Sequence, residues 1–156
     1  LGIEFGFAPD PSEARCLEEA LPRWRPFDDA VPALRSLRPH FRLALISNID
    51  DDLYAPTARH LAVPFDAVIT AQSVGSYKPS RTNFLHAMRV LALPPENILH
   101  VAQSLYHDVA PASACGLPTV WVNRRHGRSG SGATPNAAAT PQLEVPDLRT
   151  LVSLAV

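Results

Sequence analysis

Leu43-Ala44-Leu45-Ile46-Ser47-Asn48 decides the fold. Four apolar residues follow one another without the polar alternation of a half-exposed strand. Such a run suits a strand buried on both faces, as in a parallel sheet. It stops abruptly at a hydroxyl and an amide. Downstream, apolar runs recur at Phe65 to Thr70, Ile98 to Ala102, Thr119 to Val122 and, as a short last strand, Leu143 to Val145. Helical patterns separate them. Asp50, Asp51 and Asp52 stand beside a helix reaching Leu61. Ser80 to Leu91 puts Phe84, Leu85, Met88 and Leu91 on one face. Asp108 to Cys115 is closed by Gly116, and Asp147 to Leu154 closes the chain. Upstream, Pro11 to Trp24 reads as one helix. Asp28 and Asp29 open another that carries Val31, Leu34 and Leu37. Residues 124–141 are rich in Gly, Ser, Ala, Thr and Pro and read as a loop. Strand–helix alternation at this spacing predicts an α/β domain with a parallel sheet and helices on both faces.

Composition narrows the class. A length of 156 residues predicts one domain. With 14 Lys+Arg against 15 Asp+Glu the net charge is −1, so no basic field exists to attract nucleic acid. Two cysteines cannot build a disulfide framework or a cysteine-rich zinc site. No apolar run approaches a membrane span and no leading segment resembles a signal peptide, so the cytoplasm is the expected location. Met88 is the sole methionine and Leu1 opens directly into patterned sequence, which predicts a fragment. Lys78 is the one lysine among the 14 basic residues, a hint that a compact ammonium is wanted there.

In parallel α/β sheets, ligands bind beyond the carboxyl ends of the strands. Those ends carry Ser47-Asn48, the loop to Lys78, and Gln103-Ser104 with Asp108. His107 beside Asp108 invites a His–Asp base, although adjacent residues at a helix start rarely face each other. His40, His60, His86, His100 and His126 show no metal-ligand spacing. Trp24 and Trp121 are expected in the core, and Cys115 as an inert thiol.

These clusters, in this order, resemble the haloacid dehalogenase superfamily of hydrolases. Leu45-Ile46-Ser47-Asn48 is similar to its second motif, a strand ending in a hydroxyl residue. Tyr77-Lys78-Pro79 resembles its lysine-bearing third motif, and Val101 to Asp108 its acidic fourth. The likeness runs from Phe27 to Arg124. Ser47-Asn48, Tyr77-Lys78-Pro79 and Thr119-Val120-Trp121-Val122-Asn123-Arg124 are most similar to the type II 2-haloacid dehalogenase branch.

The resemblance implies a Rossmann-like core over residues 27–156, preceded by the remnant of a helical cap over residues 1–26. It implies that the Asp-x-Asp first strand, with its nucleophile, lies upstream, so that the chain alone is inactive. Asp50-Asp51-Asp52 contains Asp-x-Asp but lacks the following Gly-Thr, and reads instead as carboxylates at a helix N-terminus. In the family sheet the first strand lies between Leu43–Ile46 and Ile98–Ala102. Without it those two runs would flank an empty slot, and the chain alone is expected to be aggregated, molten or dependent on the missing segment. The exceptions are direct pairing of the two runs, or filling of the slot by Ile3 to Phe7.

The implied roles follow. Lys78 and Asp108 are the catalytic candidates. Ser47, Asn48, Tyr77, Gln103 and Ser104 are the substrate-binding candidates, and no residue is assigned to metal. Gln103 stands where the phosphatases of the family carry a magnesium-holding carboxylate. A neutral amide is a poorer ligand for a hard cation, so no cofactor is expected. The branch's usual fourth motif, Ser-x-Asn-x-x-Asp, is one residue shorter than the stretch here. The implied reaction is hydrolytic dehalogenation of a small 2-haloacid through an aspartyl ester. The alternatives are a magnesium-dependent phosphatase and an inactive pseudoenzyme or gene fragment. The expected partners are a small-molecule substrate and water, with neither nucleic acid nor membrane; formation of a homodimer stays open.

Overall fold

The computed structural model describes residues 6, 10, 15–127, 134–135 and 137–156. Residues 11–14 of the expected first helix lie outside them, as do the segment Ile3 to Phe7 apart from Gly6, and residues 128–133 and 136 of the expected loop. The described elements are α1 (Cys16–Ala20), a 3-10 turn (Leu21–Arg23), α2 (Ala30–Leu37), β1 (Ala44–Ser47), α3 (Asp51–Leu61), β2 (Ala67–Thr70) and α4 (Ala71–Val74). There follow α5 (Thr82–Leu91), a 3-10 turn (Pro95–Asn97), β3 (His100–Ala102), a π-helical turn (Leu105–Val109), α6 (Ala110–Ser113), β4 (Thr119–Val122), β5 (Leu143–Val145) and α7 (Leu148–Ala155).

Every described strand pairing is parallel, as the alternation predicts. β1 pairs with β2, Ala44 opposite Ala67 through Ser47 opposite Thr70. β3, β4 and β5 form a second sheet in that order. Among the described residues β1 and β3 do not pair, and each has one strand neighbour. This corrects the expectation that β1 is buried on both faces: Ala44 is exposed and Leu45 to Ser47 are half-buried, and among the described residues β2 is the one strand that pairs with it.

Packing joins what the ladders do not. Phe84 of α5, Ala112 of α6 and Leu117 form a buried cluster. Ile46 of β1, Met88, Ile98 and Cys115 pack against it. The face of α5 turned inward is Phe84, Ala87 and Leu91 with Met88 beside them, which is i, i+3, i+4, i+7 spacing. Leu85, expected on that face, is 48% exposed. A second cluster of Val120, Val122, Val145 and Leu151 seats α7 on the β3–β4–β5 sheet. Trp24 is not in the core: it is 57% exposed. Trp121 is half-buried, and its indole N–H donates to the Gln103 carbonyl at 2.9 Å.

Asp29 immediately precedes α2, where sequence suggests a helix-end carboxylate, yet its side chain does not cap that helix. It is buried and reaches much later parts of the chain. Its Oδ1 accepts from the Arg124 guanidinium at 3.0 Å, and its Oδ2 accepts from Leu148 N–H at 2.7 Å. The same guanidinium lies 4.0 Å over the Phe27 ring. One carboxylate thus ties the start of α2 to the turn after β4 and to the first residue of α7. Removing it strands a buried N–H and a guanidinium, which costs about 1–3 kcal/mol. Asp29→Ala is therefore expected to lower stability by about that amount in denaturant unfolding. Asp28→Ala, one residue away on an exposed side chain, is expected to change it by less than about 0.5 kcal/mol.

Candidate active site

The site is built at the carboxyl ends of β1 and β3. β2 ends at Thr70, whose hydroxyl accepts from Ser73 N–H at 3.0 Å and starts α4. Gly75 stops that helix at φ 68°, a left-handed conformation costly for a side chain. The chain then turns back through Ser76 and Tyr77 to Lys78. Asn48, just past β1, grips Lys78 by its backbone. Its Oδ1 accepts Lys78 N–H at 2.7 Å and its Nδ2 donates to Lys78 O at 3.0 Å.

The side chain of Lys78 is thereby aimed. Its Nζ donates to the Ile46 carbonyl at 3.0 Å and to Asp108 Oδ1 at 2.6 Å. Asp108 sits on the π-helical turn, a form that recurs at functional sites. Ser104 opens that turn, its hydroxyl accepting from His107 N–H at 2.9 Å. His100 of β3 completes the cluster, with Nε2 3.2 Å from Asp108 Oδ1. The side chains of Lys78, Asp108 and His100 are 11%, 9% and 11% exposed. Burial by itself pushes the Asp108 carboxyl up. The hydrogen bond to His100 and the Lys78 ammonium outweigh it and hold the group below its ordinary value.

The structure brings Lys78 and Asp108 together at the strand end that Ser47 completes. Ser47 itself is half-buried, next in sequence to the Ile46 carbonyl that Lys78 binds. Asn48 is committed at both ends of its amide to the Lys78 backbone. Tyr77 and Gln103 are exposed, and Ser104 spends its hydroxyl on His107. His107 does not face Asp108: its Nδ1 is 3.1 Å from Ser104 Oγ and its ring lies edge-on to Tyr106. The histidine that meets Asp108 is His100, which sequence reasoning passed over. The available signal was a lone polar residue inside the apolar run Ile98 to Ala102. Asp51, weighed with its neighbours as a nucleophile, accepts from Thr70 Oγ1 at 2.6 Å in the first turn of α3. Burial raises the Cys115 thiol, in keeping with an unreactive side chain. A hollow of about 330 Å³ lined by Arg25, Phe27, Val31 and His60, among others, shares no residue with the cluster.

Among the described residues the cluster offers a divalent cation a single carboxylate. Asp108 Oδ1 is turned to an ammonium and an imidazole, and Gln103 offers only an amide. Among the described residues no three His, Cys, Asp or Glu side chains gather as ligands.

A carboxylate whose native value is lowered stabilises the fold above its unfolded value of about 3.9, and that contribution is lost as pH falls through the native value. Asp108→Asn leaves the Lys78 ammonium in a nearly buried place without a counter-charge. It is expected to cost about 3–5 kcal/mol at neutral pH. The gap from the parent should begin to narrow below about pH 4, where the unfolded parent's carboxyl takes up its proton, and close further as pH falls through the lowered native value. Unfolding curves of both proteins across the acid range check this.

A family model described as haloacid dehalogenase-like hydrolase matches residues 4–116. The (S)-2-haloacid dehalogenase H-109 of Pseudomonas putida is 29% identical over 146 residues, covering 92% of this chain and 62% of its own length. The phosphoserine phosphatase of Thermus thermophilus is 31% identical over 147 residues, 89% of this chain and 56% of its own. The chain thus spans less than two thirds of these relatives. The crystal structure of an L-2-haloacid dehalogenase superposes with a TM-score of 0.79 at 30% identity, covering 99% of this chain and 66% of that one. With its parallel strands, its lysine held against an aspartate at the strand ends, and a match over residues 4–116, this chain belongs to the haloacid dehalogenase-like hydrolase family.

Proposed function

We propose that this chain serves the hydrolytic dehalogenation of a small 2-haloacid. The observation that carries the reading is the neutral Gln103, which stands in sequence where the phosphatases of the family carry a magnesium-holding carboxylate, on the strand end that leads to the nearly buried Lys78–Asp108 pair. The similarity to (S)-2-haloacid dehalogenases supports it. In this reading an aspartate carboxylate from outside the described residues attacks the halogen-bearing carbon. A carbon–oxygen bond forms as the carbon–halogen bond breaks and halide leaves. Water then attacks the aspartyl carbonyl, the 2-hydroxy acid departs, one proton is released, and the carboxylate is regenerated. Lys78 keeps the attacking carboxylate ionised and offsets charge around it. Asp108 orients Lys78. Ser47 and backbone amides past β1 hold the substrate carboxylate, with Tyr77, Gln103 and Ser104 around the opening. Asn48 acts by fixing the Lys78 backbone. Residues 1–26 serve as part of a cap, with Pro22 O accepting a hydrogen bond from His60 Nε2 at 2.9 Å.

The phosphoserine phosphatase likeness favours a second reading, phosphate-ester hydrolysis. Assays of the intact gene product separate the two. Halide release from 2-chloropropionate is expected, with Lys78→Met lowering it by about 10²–10³-fold. Magnesium-dependent phosphate release from phosphoserine, with no halide released, would overturn the proposal in favour of the second reading.

A further inference from the structure

His100 lies in β3 and Lys78 in the loop after α4, and both reach Asp108. Its backbone is fixed twice: its N–H donates to Pro118 O at 2.9 Å, and it stands opposite Thr119 in the ladder. Its ring is fixed as well. Phe84, fully buried, meets it edge-on at 5.1 Å and 84°. From this place the imidazole Nε2 stands 3.2 Å from Asp108 Oδ1, the oxygen that also receives Lys78 Nζ. His107, the nearer histidine in sequence, is turned to Ser104 and cannot substitute.

We propose that His100 is a positioning residue: its Nε2–H holds Asp108 Oδ1 at the point where Lys78 Nζ meets it. A carboxylate on a short turn can swing away from a single ammonium. A second donor from a different element removes that freedom. The chain Phe84–His100–Asp108–Lys78 then carries the rigidity of the core to the ammonium at the strand end. The inference rests on the dehalogenase reading only for its consequence in turnover.

The tautomer of the His100 ring, read by long-range nitrogen–proton NMR on the unmodified chain, tests it first. A proton on Nε2, protected from exchange, is expected. A bare Nε2 with the proton on Nδ1 would overturn the proposal, since two lone pairs cannot hold each other. Asp108 carboxyl carbon titrations give the second reading. His100→Phe keeps ring packing but removes the donor, and should raise the Asp108 midpoint. His100→Gln, which returns an N–H near the same place, should bring it back toward the parent. Identical titrations in the parent and both variants would overturn the proposal; if His100→Phe does not fold, the tautomer and the Gln variant decide. Failure of halide release in the parent would leave these NMR outcomes standing, so the two readings fail separately.

Discussion

Lys78 Nζ reaches 3.0 Å to the Ile46 carbonyl and 2.6 Å to Asp108, and those two bonds span the carboxyl ends of two sheets that share no ladder among the described residues. An ammonium withdrawn from water is costly unless its donors are met. Here two are met, by a carbonyl and a carboxylate, and the carboxylate is met in turn by His100. The arrangement is stringent in one direction only. Replacing both charges with well-shaped apolar groups can be nearly neutral, whereas removing one strands the other. The pair is therefore better explained by what it positions than by how much it stabilises. Asn48 supports the same point from the backbone side, binding both polar groups of the residue that carries the ammonium.

The chemistry of the site follows from that charge. A fixed cation at a strand end lowers the energy of an adjacent carboxylate and of any anion formed there. Gln103 adds no charge of its own. The hydroxyl of Ser104, close by in sequence, is turned to the backbone that shapes the Asp108 turn. The polar residues that sequence groups together thus divide into two kinds. Lys78 and Asp108 form a charge-bearing cluster, which His100 joins from outside that group, while Asn48 and Ser104 hold its backbone supports.

The parallel α/β frame was legible because polarity changes abruptly at Ser47, which ends an apolar run, while Lys78 stood out as the one lysine and Asp108 as the acid that follows the strand Ile98 to Ala102. What was not legible depends on phase or on distance. β3 has three residues, too few for alternation to show that His100 turns inward while Leu99 is exposed. Leu85 satisfies the apolar pattern of α5 as well as Ala87 does, but only the small residue lies on the packed face. Asp29 reads locally as a helix-end carboxylate, whereas its partners are Arg124 and Leu148, about a hundred residues on. The ends of α3 and α5 gave no signal either. Ala62 and Ala92 take the left-handed conformation that glycine would announce.

The central claim is that Lys78 and Asp108 act as a coupled pair across the two sheets. A double-mutant cycle on unfolding free energy, with Lys78→Met, Asp108→Asn and the double variant, measures that coupling directly. The account predicts a coupling of about 1.5–3 kcal/mol, because the two partners share a nearly buried charge-assisted bond. Additive losses, with coupling below about 0.5 kcal/mol, would contradict it.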